Sequence, residues 1–149
     1  MDLPPALARL DLPRIDQVGY VVRDLAATLA RYEPLFGPFT RLDTPLTGVW
    51  YRGVPTDVHL SLAFGHSGDI EMEFIQPLSG ASPHTEFLAA GREGIHHVRY
   101  RVPDAYAAIA TLGTIGFSPI WRHDVGHAVF AYLEHPGHDG VLVEVLQLG

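Results

Sequence analysis

A chain of 149 residues, 47% hydrophobic and 18% charged, is long enough for one folded domain with a proper core and lies far from the composition of disordered chains. Seventeen acids against ten bases leave a net charge of −7, which argues against nucleic acid as a partner, because phosphate neutralisation needs clustered cations. Cysteine is absent and all ten bases are arginine, so disulfides, thiolate metal ligands, thiol nucleophiles and lysine Schiff bases are excluded.

Residues 1–13 read as a proline-containing extension. They lack a charged start followed by an apolar run, so no secretion signal is expected. No apolar stretch approaches the length of a membrane span, and a cytoplasmic protein is the expectation. The domain is expected over 14–148, with a first module at 14–77, a linker at 78–93 and a second module at 94–148. Residues 15–24 read as an opening strand. Asp24 is a good N-cap, and Leu25, Leu29, Tyr32 and Phe36 recur at helical spacing up to the stop signal Gly37-Pro38. Strands are expected at 48–51, 57–64 and 69–76, punctuated by glycine and proline. A short helix at 84–90 falls in the connection. The second module repeats the plan: a strand at 95–104, a helix at 105–115 capped by Asp104 and ended by Gly116, and strands at 117–123, 128–134 and 141–146.

The two modules match residue by residue at both ends. Ile15, Val18, Tyr20, Val22 and Asp24 stand over Ile95, Val98, Tyr100, Val102 and Asp104. Ile70, Glu73 and Gln76 stand over Val141, Glu144 and Gln147. Two matches together point to a duplicated β-α-β-β-β unit. Strand alternation then sorts the faces. Val18, Tyr20, Val22, Val98, Tyr100 and Val102 suit the side under the helices, as do His96, Ile70, Met72, Phe74, Val141, Val143 and Val145. The opposite, concave side receives Gln17, Gly19, His97, Arg99, Arg101, Glu71, Glu73, Leu142 and Glu144. Gln17, Glu73, His97 and Glu144 therefore share one face at repeat-equivalent positions. Two carboxylates, an imidazole and an amide oxygen suit a divalent ion such as zinc, nickel, cobalt or manganese. The plainer reading of each residue alone is a polar coat on a solvated sheet face.

Several stretches resemble the vicinal oxygen chelate superfamily, which includes glyoxalase I, methylmalonyl-CoA epimerases, extradiol dioxygenases and bleomycin-resistance proteins. They are Val18-Gly19-Tyr20-Val21-Val22-Arg23-Asp24-Leu25, Glu73-Phe74-Ile75-Gln76-Pro77, Ser82-Pro83 with Glu86-Phe87-Leu88, Gly94-Ile95-His96-His97-Val98, and His135-Pro136 followed by Gly140-Val141-Leu142-Val143-Glu144. The resemblance covers roughly 14–148 and is nearest to methylmalonyl-CoA epimerase-like and glyoxalase I-like members. It implies an α+β fold of two paired βαβββ modules in a curved, partly open eight-stranded sheet. It implies one divalent metal ion held by Gln17, Glu73, His97 and Glu144. Epimerases usually carry histidine where this chain has Gln17, whereas a Gln, Glu, His, Glu set resembles zinc-type glyoxalase I. Gln17 also speaks against the iron dioxygenases, which need two histidines and a carboxylate.

The activity implied is an isomerase or lyase that moves a proton α to a carbonyl through an enediolate or enolate. Glu144 is the first choice of base, with Glu73 on the opposite face. The epimerase pattern has a further glutamate base, and its position falls on His59 or, by a second alignment, on Tyr51. His59 is kept as a proton carrier. Arg99 and Arg101 are expected to hold an anionic part of the substrate or to pair with Glu71, and Trp50 and Tyr51, with Trp121, to line its groove. His123, His127, His135 and His138 sit in or beside expected turns, where a second metal site is the sharper but weaker reading. Two other functions stay open: a non-catalytic small-molecule-binding protein of the resistance type, and a degenerate member without metal. A homodimer is expected.

Overall fold

The two opening strands meet at the centre of the molecule. In the computed structural model, which describes residues 9–137 and 140–149, β1 (Gln17–Val21) runs antiparallel to β5 (Gly94–Arg101), with Gly19 opposite His97 and Gln17 opposite Arg99. Each is flanked by the closing strand of its own module in parallel register, β1 by β4 (Ile70–Ser79) and β5 by β8 (Leu142–Leu148). The antiparallel strands β2 (Thr40–Tyr51) and β3 (Val54–Ser67) continue the first module, and β6 (Ser118–Asp124) and β7 (Ala128–Glu134) the second. The modules thus pair within one chain. The eight-stranded sheet, expected to be partly open, closes on itself where Trp50 and Tyr51 of β2 meet Arg122 and Trp121 of β6.

The repeat explains how the helices are set. Helix α1 (Leu25–Phe36) is capped by the Asp24 carboxylate, which accepts from the Ala27 N–H at 3.0 Å, and α3 (Ala105–Gly113) by Asp104, which accepts from Ala107 at 3.1 Å. The matched glutamines do the same job from the sheet. Gln76 Oε1 accepts from the Leu25 N–H at 2.9 Å and Gln147 Oε1 from the Ala105 N–H at 2.8 Å, tying each helix start to its closing strand. Leu25 of α1 packs on Val22, Ala63, Met72 and Phe74; Ala105 and Leu112 of α3 pack on Val102, Ala131, Leu133 and Val145. A third core fills the barrel: Val21, Val49, Leu60, Ile75, Trp121 and Tyr132. Helix α2 (Pro83–Ala89), with a Ser82–Thr85 capping box, adds Phe87 to it.

Strand β2 begins at Thr40, well before the expected residue 48. Pro45 and Gly48 read as breakers, but a bulge between Leu46 and Val49 absorbs the glycine, whose φ is 68° and whose N–H is taken by Asp57 at 2.8 Å. β2 pairs with β6 only at Trp50 and Tyr51, so Pro45 sits on a free edge where its missing N–H costs nothing. Val141 falls outside β8 and is exposed rather than packed under α3. Leu10 and Leu12 of the extension pack on the α3 core, while the expectation for residues 1–8 lies outside the described residues.

Candidate functional site

Gln17, Glu73, His97 and Glu144 all project to the inside of the barrel, and each is at most 8% exposed. The His97 ring lies flat against Gly19: a Cβ there would stand 2.1 Å from His97 Cε1, so only glycine fits beneath it. His97 Nε2 lies 3.0 Å from Gln17 Oε1 and 3.3 Å from Glu73 Oε1. The other end of the Gln17 amide donates from Nε2 to Glu71 Oε1 at 2.7 Å. A carboxylate only accepts, so Glu71 fixes the amide with its oxygen turned toward His97. On its far side His97 Nδ1 lies 3.0 Å from His96 Nδ1.

Glu144 enters from β8 beside Arg99, with 3.9 Å between Arg99 Nε and Glu144 Oε1. Arg99 is held more closely by Asp16, at 2.9 and 3.1 Å, and lies 3.6 Å from Glu71. Burial pushes the Glu144 carboxyl up to about 7, with nearby Glu73 acting in the same direction and His97 and Arg99 opposing it. Burial, then Glu144 and Glu73, raises the Tyr132 phenol, which stays protonated. His84 Nε2 lies 3.0 Å from the Tyr132 hydroxyl, and burial pushes His84 down to about 3, leaving it neutral.

These groups line a cavity of about 200 Å³. Glu73, Glu144, Arg99, His84 and Tyr132 form its polar side. Leu46, Leu60, Leu62, Phe64, Phe130 and Leu146 form the apolar wall, into which Thr44 also projects. Sequence reasoning missed Thr44, His84 and Tyr132. The alternation in β7 that puts Phe130 and Tyr132 on one face was the available signal.

Other candidates fall elsewhere. Val58 and Leu60 point into the barrel, so His59 between them points out, next to Pro45 and Ser79; it is not a proton carrier for this cavity. Trp50 also faces out, with the Arg122 guanidinium 5.3 Å above its ring. The β2 bulge, invisible to simple alternation, sets this orientation. Tyr51 faces in but packs edge-on to Trp121 at 6.2 Å, outside the cavity lining. Arg101 is exposed at the end of β5. His96 is buried as expected, but a register shift between Gly19 and Tyr20 turns it away from α1 and α3, against His84 and Phe87. His123 packs on Phe130 and His135 on Phe117, whereas His138 lies outside the described residues. Among the described residues, no three histidine or acidic side chains stand gathered as a ready-made metal cluster.

Three donors, Gln17 Oε1, Glu73 Oε1 and His97 Nε2, nonetheless have a spacing that would suit a divalent ion. Bonds of about 2.0–2.2 Å to one ion place adjacent donors about 2.8–3.6 Å apart, from octahedral to tetrahedral angles, and the separations about His97 Nε2, 3.0 and 3.3 Å, fall in that interval.

No curated protein matches the chain. Among solved structures it is similar to a hypothetical protein from Bacillus halodurans, at 24% identity and a TM-score of 0.65, covering 91% of this chain and 94% of that one. It is similar to a methylmalonyl-CoA epimerase from Mycobacterium tuberculosis, at 18% identity and 0.65, covering 97% and 95%. A Streptomyces coelicolor methylmalonyl-CoA epimerase in complex with 2-nitronate-propionyl-CoA matches at 22% identity and 0.65, covering 93% and 96%. At these identities the likeness establishes the fold. The sequence profile of one family matches residues 16–132, which span both opening strands and most of the barrel. The chain belongs to the glyoxalase/bleomycin resistance protein/dioxygenase superfamily.

Proposed function

We propose that this protein is a metal-dependent isomerase or lyase that moves a proton on the carbon next to a carbonyl. The observation that carries the reading is the pair of buried carboxylates, Glu73 and Glu144, at repeat-equivalent positions on either side of His97 in one cavity. Gln17, Glu73, His97 and Glu144 would hold one zinc, nickel, cobalt or manganese ion. Such an ion, when bound, polarises a carbonyl oxygen and acidifies the adjacent C–H.

The chain's own residues do the rest. Glu144 takes the proton, and Glu73 serves the opposite face. The apolar wall excludes water and strengthens the electrostatics inside. Glu71 keeps the Gln17 oxygen inward, and Asp16 holds Arg99 beside Glu144. A purely binding role fits less well, because burying two carboxylates costs several kcal/mol that an apolar ligand does not return. Methylmalonyl-CoA, bound by the epimerases of like fold, and the glutathione hemithioacetal, suggested by the Gln-Glu-His-Glu set, are the first substrates to try. In deuterium oxide the metal-loaded protein should place deuterium α to the carbonyl of one of them; failure with every small carbonyl substrate tried would sink the reading.

No helix among the described residues is long and apolar enough to cross a membrane. We also propose a cytoplasmic homodimer. Sedimentation at micromolar concentration should return the mass of two chains; the mass of one would refute it.

A further inference from the structure

We propose that the free edge of β2 at Thr40–Thr44 pairs antiparallel with the same segment of a second copy of this chain, about a twofold axis through Leu42. The proposal rests on the homodimer put forward above and names its interface.

On one side β2 pairs with β3 from Thr40 to Tyr51; on the other it meets β6 only at Trp50 and Tyr51. No other strand among the described residues takes the rest of that second edge, so the backbone N–H and C=O groups pointing away from β3 there are open to a further strand. Half of this edge is spoiled for pairing, because Pro45 lacks an N–H and the bulge after Leu46 distorts the ladder. Thr40–Thr44 has no such protection. Thr40, Arg41, Leu42 and Asp43 are exposed although they alternate between two faces, Leu42 by 54%.

The segment is complementary to itself. With the axis through Leu42, Arg41 stands opposite the partner's Asp43, Asp43 opposite the partner's Arg41, Leu42 opposite the partner's Leu42, and Thr40 opposite the partner's Thr44. Arg41 and Asp43 share the outer face of β2, in register with Ala63 and Ser61 of β3. Neither makes an ion pair among the described residues, so both charges are free for a partner. Moving the axis by one residue sets Arg41 against the partner's Arg41, or Asp43 against the partner's Asp43, so charge selects this one register. The ladder also stops itself, since Pro45 falls opposite the partner's Phe39 and has no N–H to give. Leu42 shares the inner face with Thr44 and Leu46, which line the cavity. Pairing therefore sets the partner's Leu42 beside the cavity's apolar wall.

Exchanging the charges tests the register, with sedimentation over a dilution series as the readout. The parent should have the mass of two chains at micromolar concentration. Arg41→Asp and Asp43→Arg each set like charges opposite one another at both ends of the ladder, and each should raise the dissociation constant about tenfold or more. Both side chains are exposed on the outer face, so each variant should keep the circular dichroism of the parent. Mixed in equal amounts, the two variants restore opposite charges and should pair as tightly as the parent, with native mass spectrometry finding one of each in the dimer. The double variant Arg41→Asp/Asp43→Arg should likewise regain the parent's affinity. A parent dimer that neither single variant weakens, or a mixture that pairs no better than its components, would overturn the proposed edge and leave the homodimer standing. A parent with the mass of one chain would overturn both.

Discussion

Glu144→Gln in the metal-loaded protein should slow α-proton exchange by a factor of about a hundred or more, while metal stays bound. In the proposed donor set Gln17 already supplies an amide oxygen, so the substitution would preserve a ligand atom and remove only the ability to accept a proton. Occupancy is measured alongside the rate. A variant that keeps its metal and exchanges at the parent rate makes Glu144 a ligand and passes the role of base to Glu73; His59, facing out of the barrel, is no longer in the running. The same variant has a signature without metal. Burial raises the Glu144 carboxyl from its ordinary 4.5 to about 7. A raised carboxyl favours the fold while protonated, so the parent loses that contribution as pH climbs from about 4.5 to about 7. Glu144→Gln carries no charge to bury, and its metal-free form should melt above the metal-free parent at pH 7.

Gly19→Ala should disable the site from beneath. The added methyl would meet His97 Cε1, Nε2 and Nδ1 at 2.1, 2.3 and 2.6 Å. The ring is fully buried, with His96 on one side and Tyr132 at 4.9 Å on another, so it cannot swing clear. Such overpacking costs about 1–3 kcal/mol. A displaced His97 should also weaken metal binding by about 10–100-fold, the range seen when a ligand loses its orientation. Gly113→Ala is the control. Nothing lies within 4 Å of its added methyl, and its stability should be unchanged or slightly raised. If Gly19→Ala melts and binds metal like the parent, His97 is not held as described.

The inner face of the barrel was legible because the duplication printed it twice. Glu73 over Glu144 and Gln76 over Gln147 mark equivalent places, and period-two alternation carried Gln17 and His97 to the same side. The glutamines' task of holding the helix starts was not legible, since it depends on where α1 and α3 cross the sheet. Alternation failed where the strands are irregular. The register shift at Gly19 turned His96 inward, while Trp50 was assigned to the groove together with its strand neighbour Tyr51, which alternation itself places on the opposite face. His59 was placed by aligning a motif rather than by counting outward from Val58 and Leu60, which would have put it outside. Thr44 was invisible because Pro45 made its segment look like a turn, and the state of a buried hydroxyl is set by β3 across the ladder. Arg99 was expected to hold a substrate anion or to pair with Glu71; it lies 3.6 Å from Glu71, and its closer partner Asp16 becomes apparent only when β1 and β5 are laid side by side.

Titration of the metal-free protein with cobalt, followed by visible absorption and thermal melting, tests the central claim most directly. One ion per chain should bind with the absorption of a mixed nitrogen and oxygen environment. At 100 times the dissociation constant it should add about 2.7 kcal/mol to stability. Gln17→Ala, Glu73→Ala and His97→Ala should each weaken binding and alter the spectrum. No cobalt binding and no rise in melting temperature, with zinc and nickel equally inert, would contradict the account.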